Sequence, residues 1–543
     1  MTIGTEGRKP VNLLDTTLDF HPPFGLTRRS VLAGMAAGAV APLTQSCSAR
    51  DELPDIPEPP EIRSRNGRLE AVLEAAPSRI TVGGRSYLSN VWNGLYIPPV
   101  LVIGRGEEAR IRLINNIARS DLEIDGPEPT NLHTHGMATP PRQPGDYIYI
   151  GIPSGAPLPP GAPDHAEHGF EAPVAFPDGS GRLASNIYEF RWRVPAHHPQ
   201  GPHWYHPHAH GIVENQVLNG MSGLLIIDGF LATHYPELAR LRQRRIILKD
   251  FDVPDDPQGS PHLKTINGMT AGAIRMRPGD IEVWDIGNVG ADAYFDFAID
   301  GHRFWVLGHD ANVMVGPGQE ASIFLPPGAR ATAVIQAGDA GRYSVRSLEV
   351  DTGPAGDPNP TIQLATLVVE GRPSDHGRAV RRLSQPAANR ASVQPTLEQV
   401  AALPVTRSRT ITFSENDAGT QFYIDGKQFD YRRDDITVTL GEVEEWTLLN
   451  TTGERHVFHM HQLDFLVQQI NDDDADYQGL RDVIDMPYAR SGQPGRVQIK
   501  IPFTDPVIPG RFPFHCHILE HEDGGMMATV RVLPRADAGA PPA

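Results

Sequence analysis

The chain is almost without cysteine: its 543 residues hold two thiols, Cys47 and Cys516. That scarcity excludes a disulfide-stapled scaffold. With Cys47 assigned to a removed leader, the mature protein has one thiol and no intramolecular disulfide. Positive charge is also scarce. Lys and Arg number 48 against 66 Asp and Glu, a formal net charge of −18, which argues against nucleic acid and anionic membrane surfaces as partners. Long apolar runs are missing as well. The mildly apolar Ala/Gly-rich stretch ending at Leu43 is too short to span a bilayer, so no transmembrane anchor is expected. Amphipathic helical patterns are few, while 53 glycines and 51 prolines break the chain into short strands and turns. These features predict an all-β chain of several domains.

Residues 1–50 read as an export signal. Thr27-Arg28-Arg29-Ser30-Val31-Leu32 precedes the apolar stretch and resembles a twin-arginine signal, so the expected location is periplasmic or secreted. Thr44-Gln45-Ser46 ahead of Cys47 makes a poor lipidation motif. Residues 51–65 form a Pro-rich acidic linker. Beyond them GEEARIRLIN (106–115), GDIEVWDIGN (279–288) and GEVEEWTLLN (441–450) share a Gly, an acid, alternating apolar positions and a final Asn. A second repeat, GPHWYHPH, GRYSVRSL and GRFPFHCH, precedes an apolar strand in each unit. The repeats predict three homologous β-domains at 66–232, 243–372 and 405–535, with a linker at 373–404 and a tail at 536–543.

The densest chemistry lies in HCHILEHEDGGMM, His515 to Met527. On an extended segment alternate side chains share a face, so Cys516 points away from His515 and His517. One strand can therefore serve two metal centres. Cys516, His521 and Met526 supply a thiolate, an imidazole and a weak thioether, the donor set of a blue-copper electron-transfer site that needs one more histidine. Upstream, His133-Thr134-His135, His206-Pro207-His208 and His459-Met460-His461 each aim two imidazoles one way, and His456 stands apart as the missing ligand. In the middle repeat Arg346 and Leu348 replace the second histidine pair, and DFAID (296–300) stands near the place of the first. The middle domain is therefore expected to carry no copper ligands and to act as a spacer.

With these four motifs, residues 66–535 closely resemble the three-domain multicopper oxidases. The resemblance implies three cupredoxin-like Greek-key β-barrel domains and four copper ions. By motif position His456, Cys516 and His521 would hold the type 1 copper with Met526 axial. His133 and His459 would hold the type 2 copper, and His135, His206, His208, His461, His515 and His517 the type 3 pair. Met527 is expected in the core. Glu522 directly follows His521, where related bacterial oxidases place an acid on the proton path, and Asp146 resembles a second such acid. The implied reaction couples four one-electron oxidations of a small-molecule donor to reduction of O2 to water, by a chain expected to be monomeric. Phenols or aromatic amines are the leading donors. A cuprous-ion oxidase ranks lower, because the 11 methionines form no cluster; a copper-free envelope protein would require lost ligands. His203 and His210 are expected at the rim of the site or just behind its ligands. His165, His168, His197 and His198 are expected in solvated loops, and Asp472-Asp473-Asp474 in a soluble one.

Overall fold

The computed structural model describes residues 53–118, 128–157, 170–253, 262–316, 318–374, 396–475 and 477–535. The export segment with Cys47, the histidines at 165 and 168, and the tail 536–543 lie outside them. Strands dominate, arranged in six sheets that follow the chain as three consecutive pairs, an all-β architecture of cupredoxin-like domains. Among the described residues no helix is long and apolar enough to cross a membrane.

The repeat seen in the sequence has a structural station. Strands Glu108–Asn115, Ile281–Asn288 and Val443–Asn450 each pair parallel with an earlier strand of their own group and antiparallel with a later one. The closing Asn is buried in all three. Its Oδ1 accepts the N–H two residues on (Ile117, Gly290, Thr452), and its Nδ2 donates to loop carbonyls. Such an Asx turn satisfies the backbone where the ladder stops and sends the chain out of the sheet.

Two segments expected as linkers are partly built into the fold. Within 51–65, Glu61–Arg63 adds a parallel strand beside Val100–Ile103. The Ile56 N–H meets the Ala273 carbonyl at 2.9 Å, with the Ile56 side chain buried among the middle strands. Isoleucines at 56 and 62 give this Pro-rich stretch enough apolar area to dock. At the end of 373–404, Leu397–Ala402 is a helix closed by a Thr396/Gln399 capping box, with Val400 packed on Leu466 and Leu480.

The last sheet positions the chemistry. Gly510–Cys516 lies between Met527–Leu533 and His456–Met460, in a register that sets His515 opposite His459 and Cys516 opposite Phe458. In the first group His133 stands opposite His206. The pleat then divides the side chains. Cys516 and Met526 enter an apolar cluster with Trp446, Phe458 and Phe514, while His515 turns to the other face.

Candidate metal centre

On the Cys516 face, His456 Nδ1 and His521 Nδ1 lie 3.0 Å apart, and Sγ of Cys516 is 3.7 and 3.5 Å from them. Each outer ring nitrogen is held: His456 Nε2 shares a hydrogen bond with Thr452 Oγ1 at 3.0 Å, and His521 Nε2 faces Glu454 Oε1 at 3.3 Å. Phe422 stacks on His521, with centroids 4.3 Å apart. The Met526 carbonyl accepts the Cys516 N–H at 3.1 Å, which ties Met526 beside the thiol. Burial pushes the Cys516 thiol well above its ordinary range and pulls His456 down to about 3. The imidazole therefore presents a lone pair, and a bound ion would have to displace the thiol proton.

On the opposite face, eight histidines from the first and last strand groups converge, all buried. His515 Nε2 is 3.2 Å from both His208 Nε2 and His461 Nε2, and His517 Nε2 is 3.2 Å from His135 Nδ1. His133 stacks on His461 and His135 on His459, each pair 3.8 Å between centroids. His133, His206 and His459 donate their Nδ1–H to Asp146, the Pro207 carbonyl and the Asp482 carbonyl. That leaves Nε2 of all three buried with no partner. Burial, then the neighbouring imidazoles, drive His208, His461 and His135 well below the ordinary range. Outer nitrogens tied and inner nitrogens orphaned, as at His133, His206 and His459, fit metal ions and poorly fit a dry core. Groups such as His133/His459/His461, His208/His461/His515 and His456/Cys516/His521 have donor atoms close enough to share an ion.

Asp146 and Glu522 both reach this site. Besides His133, Asp146 accepts from the Thr134 N–H at 3.0 Å and the Thr134 hydroxyl at 2.9 Å, so it orients the ring. Glu522 is fully buried, with Oε1 3.4 Å from His208 Nδ1 and Oε2 3.5 Å from His515 Nδ1. It rides on the short helix Leu519–Asp523. Asp292 of the middle group accepts the N–H groups of Leu519 and Glu520 at 2.9 and 3.2 Å, satisfying amides that a helix start leaves open.

Two expectations change here. His198 is buried rather than solvated: its Nε2 accepts the Ala138 N–H at 2.9 Å. His203, expected at the rim of the site or just behind its ligands, is fully enclosed, in keeping with the second of these places. The middle group is more than a spacer, since Gly328 lies directly against the histidines and Arg330 against Asp482, which touches two of them. Gly328, at φ +86°, is so close that a Cβ there would lie 3.1 Å from both His135 and His517. Met527 packs with Ile148 and Tyr149. Asp482, Arg330, Thr452 and Glu454 were not singled out from sequence, because no motif spacing marks residues that touch ligands from elsewhere in the chain.

Gly136, which follows His135, adopts φ +78°, and a Cβ would fall 2.5 Å from both Arg330 Nη2 and Asp482 Oδ2. Gly136→Ala is expected to lower stability by about 2–4 kcal/mol, combining left-handed strain with overpacking. Urea unfolding of the metal-free protein checks this; an unchanged midpoint would show that the pair yields freely.

Family models described as multicopper oxidase match residues 204–372 and 394–536, together more than half of the chain. The multicopper oxidase mco of Staphylococcus haemolyticus is 23% identical over 489 residues, covering 87% of this chain and 90% of its own. A cell division protein FtsP from a Rahnella species is 22% identical over 94% of this chain and 99% of its own. Among solved structures, a multicopper oxidase from Campylobacter jejuni, described as a metallo-oxidase, superposes with a TM-score of 0.68 at 21% identity, covering 89% of this chain and 96% of its own. Buried donor sets on both faces of one strand are what a copper-binding oxidoreductase of this kind requires, and the chain belongs to the multicopper oxidase family.

Proposed function

We propose that the chain is an exported, laccase-type oxidase holding four copper ions. It would take electrons singly from an organic donor at His456, Cys516 and His521, and reduce O2 to water among the eight histidines. The Cys516 junction carries this reading: the thiol faces one donor set while His515 and His517, its covalent neighbours, face the other. Copper supplies the redox change at both sets. The protein's part is to hold rings, exclude water and deliver protons. Asp146, Pro207 and Asp482 fix which nitrogen of His133, His206 and His459 points inward. Thr452 and Glu454 do the same for His456 and His521, and Met526, held beside the thiol, would add its thioether to the donors that hold a copper ion there. Glu522, between His208 and His515, is placed to hand protons to reduced oxygen.

Relatives named as cell division proteins give weight to a second reading, a copper-free envelope protein of the same fold. The intact donor sets weigh against it, because a binding protein has no need of orphaned ring nitrogens. A copper-loaded sample decides. Intense blue absorption with O2 uptake on adding a phenol or aromatic amine supports the proposal, and turnover confined to Cu(I) supports a cuprous oxidase. A colourless protein that takes up no copper sinks both oxidase readings.

The donor class can be narrowed. A cavity of about 530 Å³ opens against His521 and is lined by Asp357, Glu415, Asp417, Glu454 and Glu520. Carboxylates are hard donors that suit organic cations better than soft Cu(I), which prefers sulfur. Burial, then Glu415 beside it, holds the Glu454 carboxyl up at about 9, so the test falls on the exposed acids. Asp357→Asn with Asp417→Asn is expected to raise KM for a cationic aromatic diamine about 3- to 10-fold at low salt. A neutral phenol should move less than about twofold. Equal shifts for both donors would remove charge from the recognition.

A further inference from the structure

The middle strands carry none of the histidines of the site, yet one of their side chains reaches its floor. Arg330 opens the strand Arg330–Gln336 and is completely buried. Its Nη1 and Nη2 each donate to one oxygen of Asp482 at 2.6 Å, and its Nε donates to the Pro202 carbonyl at 3.1 Å. Nη1 also reaches the Gly328 carbonyl at 3.1 Å, and the Arg330 N–H donates to Asp310 at 2.9 Å. One guanidinium thus joins the three strand groups: Pro202 from the first, Gly328 from the middle and Asp482 from the last. Asp482 in turn touches two of the eight histidines. Its Oδ1 accepts from His135 Nε2 at 3.3 Å, and its backbone carbonyl accepts from His459 Nδ1 at 2.8 Å. Those two rings come from different strand groups and stack on each other. Gly136 is the residue that leaves room for the pair.

We infer that Arg330 is a positioning residue for the O2-side donor set, locking Asp482 and through it the ring orientations of His135 and His459. The inference rests on the oxidase reading above. A buried ion pair is a poor stability device, since hydrophobic residues of similar volume often serve equally well. Its value lies in geometry: the rigid guanidinium fork meets both carboxylate oxygens while donating to two carbonyls, which a lysine ammonium cannot reproduce. The middle group therefore acts as the clamp that brings the first and last groups into one site. The Cys516 set lies on the far face of its strand, outside this network.

Arg330→Lys, purified and reconstituted with copper, tests the assignment. Blue absorbance per chain should match the parent, while copper per chain falls and kcat for O2 consumption drops about 10- to 100-fold. KM for the reducing donor should stay within about twofold, because the donor cavity is remote from the clamp. A merely structural role would instead lower the melting temperature and leave copper stoichiometry and kcat alone. Should Arg330→Lys fail to fold, Asp482→Asn carries the same measurements, since it keeps the shape and the backbone carbonyl but weakens the fork. Parental copper content and kcat in whichever variant folds would overturn the positioning role. Failure of both to fold would make the pair a folding element and overturn it as well. A parent that binds no copper would strike the oxidase reading, which is a separate result.

Discussion

Cys516→Ser is expected to give a folded protein without blue colour, retaining copper among the eight histidines, whose turnover falls by more than about 10³-fold, the scale on which loss of an essential member of a catalytic unit is felt. Folding should survive because Ser is nearly isosteric and the Val457 N–H, 3.4 Å from Sγ, offers the hydroxyl a partner. The cost of burying it is about 1 kcal/mol. Activity should not survive. A hydroxyl is a hard, weakly acidic donor where the site needs a soft thiolate, and the side chain that joins the donor-side set to the His515–His517 backbone is gone. Visible absorption, copper per chain and O2 uptake read the three consequences separately. A blue band in the serine variant, or turnover above a few per cent of the parent, would place the electron-accepting site elsewhere.

Much of this site was legible because its periodicity is that of a strand. Alternation alone separates Cys516 from His515 and His517, and the same rule sends His459 and His461 to one side. The closing Asn of each repeat was visible as a letter, although its work as an Asx turn was not. What sequence withheld was tertiary. Arg330 and Asp482 stand far apart in the chain, and either would pass for a surface charge until the three strand groups close around them. Burial of His198 depends in the same way on the Ala138 amide, which only the fold brings near. Pro-containing composition marked 51–65 and 373–404 as linkers, but a few well-spaced apolar residues, Ile56, Ile62 and Val400, were enough to dock 53–65 and the helix Leu397–Ala402. Composition reports the average tendency of a stretch, whereas docking is decided by individual side chains that find a cavity.

Glu522→Gln should separate electron delivery from proton delivery. Reducing one O2 to two waters consumes four protons, and Glu522 is the acid wedged between His208 and His515, with neither oxygen hydrogen-bonded. Burial, then Asp523 beside it, holds its carboxyl well above the ordinary range, which favours the protonated form. Gln has the same shape and no proton to give. Copper content and blue colour should match the parent, and bleaching by the donor should be as fast. Return of the colour under O2 should slow by about 100-fold, the usual worth of a positioned acid. Stability should move the opposite way. An acid whose folded pKa is raised stabilises the fold fully only below its unfolded value, and that contribution is lost as pH rises towards the folded value. The amide of the variant does not titrate and escapes that loss. In the metal-free protein the variant should therefore gain on the parent above about pH 4.3, by up to about 1.4 kcal/mol per pH unit. A variant that is more stable in alkali yet slower to reoxidise would show that the buried acid is kept for its proton. Parental reoxidation with full copper loading would take Glu522 off the proton path and leave its burial without a function.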